Sequence, residues 1–472
     1  MLDFFASHRV LAQQECLSCC LGIRMTVHYN LFCGTILALG SEEQRNWLQD
    51  AQSAGLLGCF MLTETGAGVL SGLIVETVAT WVWLDDEGRG GFELHSPTQS
   101  AEKTWISQGL VADYGLVVAQ LVINQRSMGA HVFLVDMQSP GISRECMGEK
   151  TNFNALDNAR VSFDRVQLPA SALLSKLCNV QPRWSGDNWH ADYIHTGKRP
   201  PTFIQTGQRL LSGRMCISDS AITYMEGVLA VTKKYAEGRF VWVDKERKMP
   251  LADLPYMAKG LESVEVGLAV HKAFLSLVQS DFAKAIETDS ELSRSLVTLI
   301  AAAKVEAVDF AIKSLALLRR DVGSFGLMAA SPFGSSDILL CCRFAEGDSR
   351  VLQQMVTRDL IRAHSKFSAI FRLIWRVLQA WLSGALHGSA KLRYLRDQRL
   401  LQLLWILAKQ QWKNRRQGLS KAQSDSDAWL QAGELVYDVA KTHAQQLIHS
   451  TVEGRCGPSV ETVRFMDMCI SD

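Results

Sequence analysis

Three short stretches combine residue types that could act on a ligand. The first is Gly58-Cys-Phe-Met-Leu-Thr-Glu-Thr-Gly-Ala-Gly68. Its small residues at 66–68 let a ligand approach the backbone closely, and Thr63 offers a hydroxyl and an amide. The second is Lys103-Thr-Trp-Ile-Ser-Gln-Gly109. An indole and a hydroxyl two residues apart share one face of a strand and suit a planar aromatic ligand with polar edges. The third is Cys342-Arg-Phe-Ala-Glu-Gly-Asp-Ser-Arg350, where the glycine after Glu346 lets that carboxylate meet a ligand at close range. Taken singly, each has a plainer reading: a structural turn, a core tryptophan, and a first-turn carboxylate favoured by the helix dipole. Cys16-x-x-Cys19-Cys20 has metal-like spacing. No second pair answers it, so its thiols read as ordinary buried cysteines and no metal is expected. Neither a dinucleotide fingerprint, a Walker loop, a nucleophile elbow nor an HExxH motif is present.

The elements that must position these residues change character along the chain. Residues 3–24 and 41–54 predict helices, and Ser41-Glu-Glu-Gln44 forms a capping box at the start of the second. From about 58, Val75–Leu84, Gly115–Ile123, Gly129–Met137 and Ala159–Leu168 are rich in β-branched and aromatic residues and predict strands. Residues 176–204, with Pro182, Pro200 and Pro201, predict a connecting loop. From about 205 the apolar period becomes helical, over Leu210–Arg239, Leu251–Thr288, Glu291–Arg320 and Ser336–His364. Segregated elements predict an α+β fold rather than a doubly wound sheet. The expected domains are 1–56, 57–175, the loop 176–204, 205–365 and 366–472.

Composition narrows the function classes. The chain has 472 residues, 47% of them hydrophobic and 21% charged, which excludes a disordered or low-complexity protein. Forty-nine Lys and Arg against 48 Asp and Glu leave a net +1, so no nucleic-acid partner is expected. Twelve cysteines without a paired framework predict a reducing compartment. Apolar runs stay below the ~18 residues a membrane-spanning helix needs. The first 24 residues, with Asp3, His8 and Arg9 amid short apolar runs, do not read as a secretory signal, and Cys469-Ile-Ser-Asp472 does not read as a peroxisomal tripeptide address. Segment 366–416 stands apart: it holds eleven Lys and Arg against Asp397 alone, and four tryptophans. It reads either as helices packing their aromatics and meeting acidic helices elsewhere, or as a basic amphipathic surface for a phosphate-bearing ligand or a membrane face.

Together, in order and register, the three stretches resemble the acyl-CoA oxidase and acyl-CoA dehydrogenase superfamily. That family places a TE-x-x-x-G turn and a W-I-[ST] strand in a central β domain and an EG dipeptide in a C-terminal bundle; here they fall at 63–68, 105–107 and 346–347. Tyr235-Ala-Glu-Gly-Arg239 resembles the family's Y-A-x-x-R segment, and Arg214 resembles an arginine near its catalytic base. Phe92-Glu-Leu-His-Ser-Pro97, Asp157-Asn158 and Phe163-Asp164 resemble the oxidase branch. The resemblance covers about residues 20–365. It implies an acyl-CoA dehydrogenase-like fold: N-terminal helices, short here, a central β-barrel-like domain, and a C-terminal helical bundle with an added helical tail.

The resemblance also implies FAD-dependent α,β-oxidation of an acyl-CoA thioester to a trans-2-enoyl-CoA. Glu346 would be the general base. Leu62, Thr63, Gly68, Trp105, Ser107, Arg239, Gly323 and Asp348 would hold the flavin, and Arg214 and Gly347 would meet the substrate. Arg239 would reach the flavin pyrophosphate of a neighbouring subunit, which implies a homodimer. The long C-terminus favours an oxidase, passing electrons to O2 to give H2O2. Trp105-Ile-Ser-Gln108 favours a dehydrogenase using an electron-transfer flavoprotein. Val69-Leu70 replaces the family's Ser-Asp or Ser-Asn, and only about 24 residues precede Met25-Thr-Val-His28. These departures predict a truncated start and raise a third reading, a non-catalytic binding or oligomer-forming member. The family's compartments imply a peroxisome, or alternatively a mitochondrion or the cytoplasm.

Overall fold

Alternating and β-branched stretches become strands, and the 3.6-residue period becomes helices, in a computed structural model of the chain. It describes residues 1–13, 17–69, 74–151, 153–186, 188–196, 208–288, 290, 292–383, 386, 388–457 and 459–471. Cys16, Leu70, Pro200 and Pro201 lie outside these residues. The chain divides into two units, one of residues 14–213 and one of 1–13 with 214–472.

The first unit is built on two sheets. β1 (Gly58–Met61), β2 (Val78–Trp83), β3 (Gly90–His95), β5 (Tyr114–Ile123), β6 (Arg126–Asp136) and β9 (Val166–Pro169) form a six-stranded sheet; β4 (Lys103–Ser107), β8 (Asn158–Phe163) and β7 (Ile142–Cys146) form a three-stranded one. β5 pairs with β6 along one edge, while β1 and β2, both parallel to β5, share the other. Side chains of both sheets meet in one core that includes Cys59, Phe92, Leu121, Phe133, Val161 and Phe163. Each buried Phe contributes roughly 1.5–3 kcal/mol by leaving water. Helix Glu42–Ser53 starts at the expected capping box: Ser41 Oγ accepts from the Gln44 N–H at 3.2 Å, and Gln44 returns the bond to the Ser41 N–H at 2.8 Å.

Three expectations are corrected here. Residues 176–204 are not simply a loop: Cys178–Ser185 and Asn188–His195 form an antiparallel hairpin, with Val180 paired to Tyr193. Pro182 lies within this isolated two-stranded ribbon, where a proline need not interrupt a wider sheet. The single strand expected over Ala159–Leu168 is two, because the left-handed Arg165 (φ 49°) turns the chain between β8 and β9.

In the second unit, helices Pro255–Glu287 and Arg294–Asp321 correspond to the helices expected over Leu251–Thr288 and Glu291–Arg320. Ala301 and Val305 pack with Leu352, Val356 and Ala440. A second cluster joins Leu360, Leu373, Leu400 and Leu403 to Val436 and Val439. Arg9 of helix Leu2–Gln13 pairs with Asp219 at 3.1 Å, and Gln279 donates to the same carboxylate at 2.6 Å. The helix expected over Ser336–His364 is also corrected. It breaks into Asp337–Phe344 and Ser349–Ala363 because Glu346 and Gly347 both take positive φ.

Candidate active site

Each unit carries part of the predicted constellation, and each part is built around a buried carboxylate. In the first unit the carboxylate is Glu64, which the sequence did not single out. Its side chain is fully buried and pairs with Lys103 Nζ at 2.6 Å. It also accepts from Thr77 Oγ1 at 2.7 Å and from the N–H groups of Glu76 and Thr77. Lys103 completes its own set on the carbonyls of Val118 (2.7 Å) and Leu62 (3.3 Å). Burial pulls the Lys103 ammonium down to about 8, while the Glu64 carboxylate opposes that fall. This cluster fastens the turn after β1 to β4, and the Thr104 N–H donates to the Thr63 carbonyl at 2.9 Å.

Thr63, Trp105 and Ser107 are thereby brought together. Thr63 is exposed, and nothing lies within 4 Å of where a Cβ on Gly68 would stand. Trp105 is 58% exposed and has φ 57°, a conformation that costs a bulky residue of order 1–3 kcal/mol. Its backbone N–H donates to Met147 Sδ at 3.1 Å. The strand alternation used to place Trp105 and Ser107 on one face is broken by an irregularity between Lys103 and Ile106. Lys103 is buried although it shares the phase of exposed Trp105. Ser107 Oγ accepts from Asn158 Nδ2 at 3.3 Å. Gln108, also left-handed, donates to the Gly58 carbonyl at 2.7 Å, and Asp157 receives both Arg24 and the Leu110 N–H.

In the second unit the carboxylate is Glu346, at φ 57°, followed by Gly347 at φ 98°. Two cations clamp this corner through its backbone. Arg214 Nε donates to the Glu346 carbonyl at 3.0 Å. Lys304 Nζ donates to the carbonyls of Gly347 (2.9 Å) and Arg343 (2.7 Å) and to Ser349 Oγ at 3.1 Å. The side chain is treated differently: Glu346 Oε2 is buried and has no hydrogen-bond partner among the described residues. Burial pushes this carboxyl up to about 7, against the opposing charges of Arg214 and Lys304. Burial likewise lowers Arg214 to about 10 and Lys304 to about 8. A carboxyl near neutrality, without a fixed donor, can take a proton and release it.

The remaining predicted residues fall into two places. Asp348 is the N-cap of helix Ser349–Ala363 and accepts from the Arg350 N–H at 2.7 Å. Glu346 is therefore not the first-turn carboxylate of the plainer expectation; it lies in the break between two helices. Arg239 is exposed just past helix Gln208–Gly238, and Gly323 has φ 67° just past helix Arg294–Asp321. Tyr235 and Phe325 stack at 4.0 Å and bring these two helix ends together. Leu62, half-buried, contributes its carbonyl to Lys103.

Sequence reasoning missed Glu64, Lys103 and Lys304. The available signal was a charged residue inside an otherwise apolar stretch, as in Ala303-Lys304-Val305.

The chain is similar to acyl-CoA oxidases. It is 27% identical over 367 residues to peroxisomal acyl-CoA oxidase 2 of Arabidopsis thaliana, covering 73% of this chain and 51% of the relative. It is 26% identical over 406 residues to an acyl-CoA oxidase-like protein of Mus musculus, covering 81% and 61%. It thus spans about half to three-fifths of the length of these relatives. No protein-family model matches it. Its fold is that of acyl-CoA oxidases and dehydrogenases. The structure of Caenorhabditis elegans acyl-CoA oxidase-2 bound with FAD, ascaroside-CoA and ATP aligns with TM-score 0.74 at 19% identity, covering 95% of this chain and 68% of that one. Butyryl-CoA dehydrogenase from Megasphaera elsdenii aligns with TM-score 0.57 at 19% identity, covering 76% and 81%. The resemblance read from the motifs is borne out, on the oxidase side, and so is the α+β fold.

Proposed function

We propose that this chain carries out flavin-dependent α,β-oxidation of an acyl-CoA thioester, with Glu346 as the base, as an acyl-CoA oxidase delivering electrons to O2. One observation carries the proposal. A carboxyl stands at the position the EG motif assigns to the base, on a strained corner, with its Oε2 unpartnered among the described residues and its pKa raised to about 7. The similarity to named acyl-CoA oxidases supports the substrate class, and the FAD in a structural neighbour supports the cofactor. The relatives' names support a peroxisomal setting.

The residues present fit a flavin. Trp105 offers an exposed indole, Ser107 two residues on offers a hydroxyl, and Thr63, whose carbonyl accepts from the Thr104 N–H, is exposed, with open space at Gly68. Thr63 and Ser107 would bond the ring edges, Trp105 would pack beside them, and the Arg239 guanidinium would pair with the pyrophosphate of a second subunit. A bound flavin supplies the hydride acceptor for the substrate's β carbon. The chain's own task is to remove the α proton. Glu346 takes that proton at its carboxylate, and a value raised to about 7 lets the group both accept and release a proton near neutral pH. Arg214 and Lys304 fix the corner by engaging two successive carbonyls, so the carboxylate is positioned without being neutralised by direct bonds. Gly347 leaves the approach open.

The visible spectrum tests this. Flavin-loaded protein should bleach on adding acyl-CoA under argon, and should form peroxide once air is admitted. Bound flavin that stays oxidised would sink the enzymatic reading. Bleaching with turnover only on an artificial acceptor would favour the dehydrogenase that Trp105-Ile-Ser-Gln108 suggests.

A further inference from the structure

Helix Phe367–Ser383 presents a face that the chemistry above does not use. Phe367, Phe371, Ile374, Trp375, Leu378, Trp381 and Leu382 are all exposed, Phe367 by 85%. At 100° per residue they fill one continuous arc about 120° wide. The opposite arc packs inward through Ala369 and Leu373, the latter in the cluster with Leu400 and Leu403. Between the two lies a narrow polar strip of Ser368, Arg372 and Gln379, also exposed. Scattered exposed apolar residues are ordinary, whereas seven large ones in register, two Phe and two Trp among them, mark an interaction surface.

Charge identifies the partner. Helix Phe367–Ser383 contains no acidic residue, and helix Gly388–Arg416, which packs against it, contains only Asp397. That acid is buried and already engaged by Arg376 at 2.8 Å and by Arg396. Lys366, Arg372, Arg393, Lys409, Lys413, Arg415 and Arg416 remain exposed. Trp405 and Trp412 are exposed on the second helix, with the Arg416 guanidinium 4.3 Å above the Trp412 ring. A second copy of the hairpin would set this positive charge against its like. An apolar arc with tryptophans, accompanied by exposed cations, complements the boundary between anionic headgroups and acyl chains. Among the described residues no helix is long and apolar enough to cross a membrane, so the element would lie along the surface.

We propose that the hairpin formed by Phe367–Ser383 and Gly388–Arg416 docks this protein on an anionic lipid surface through the exposed arc of its first helix. The test is sedimentation of the purified full chain with vesicles of phosphatidylcholine alone or with about 30% phosphatidylserine. Binding should require phosphatidylserine and weaken as salt rises. Arg372→Gln should weaken it roughly fivefold, as expected for one cation near the surface. Phe371→Ser combined with Trp375→Ser should weaken it on the order of tenfold or more. Both variants alter exposed side chains, and unchanged thermal unfolding confirms that they fold. Equal or absent sedimentation with both vesicle types overturns the proposal. So does self-association abolished by Phe371→Ser/Trp375→Ser without lipid, which would assign the arc to a second copy.

Discussion

Glu64 and Glu346 are the same residue type, each with a buried carboxylate oxygen and each beside a lysine, yet the two corners are built for opposite ends. Glu64 is saturated: one lysine, one hydroxyl and two backbone N–H groups meet its carboxylate. It joins a turn to a strand and has no valence left for a ligand. At Glu346 the cations bond the backbone carbonyls instead, and Oε2 has no hydrogen-bond partner among the described residues. A lysine aimed at a carboxylate makes a rivet; a lysine aimed at the flanking carbonyls makes a mount for a carboxylate that stays available to a proton.

Substitutions can break this contrast. Glu346→Gln keeps the shape of the corner and removes the base. Flavin reduction by acyl-CoA should slow by about 10²–10⁴-fold with flavin still bound. A variant that reduces flavin at the parent rate would remove Glu346 from the base role. Glu64→Gln should act on the fold, since it strands a buried ammonium. A loss of about 3–5 kcal/mol is expected in denaturant unfolding; a loss under 1 kcal/mol would show that Lys103 finds other acceptors.

The pH dependence sharpens the comparison further. Unfolded, Glu346 ionises near its ordinary 4.5; folded, near 7. Unfolding releases a proton between those values. The group's contribution is thus fully present below about pH 4.5 and is lost as pH rises through 7. Glu346→Gln should therefore be the more stable protein at about pH 8, by up to roughly 3 kcal/mol, with the difference shrinking toward acid. Parallel stability curves would mean that the folded carboxyl ionises normally. Lys304→Met should cost about 1–3 kcal/mol, because three acceptors lose their donor. It should also move the acid limb of kcat/KM to higher pH, because the Lys304 charge holds Glu346 down. An unmoved limb would make Lys304 purely structural. The smallest effect belongs to Gly347→Ala, about 1 kcal/mol for a Cβ at φ 98°.

The contrast also measures how much of the molecule was legible. Strands such as β5 and helices such as Arg294–Asp321 followed from periodicity, because burying one face requires it. The hairpin over Cys178–His195 was hidden because only Cys178, Val180 and Ala191 of it are buried, too few to impose an alternating pattern on two eight-residue strands. The bulge that exposes Trp105 and the break that frees Glu346 were hidden because residue types alone do not announce a left-handed backbone outside glycine.

Residue identity by itself determined the motifs, the α+β order of elements and the family they resemble, since short-range period and spacing are written along the chain. Which glutamate is spent on holding the structure and which keeps a free oxygen was decided only by tertiary structure. That outcome depends on where distant donors such as Thr77, Lys103, Arg214 and Lys304 arrive in space, and only the folded chain brings them there.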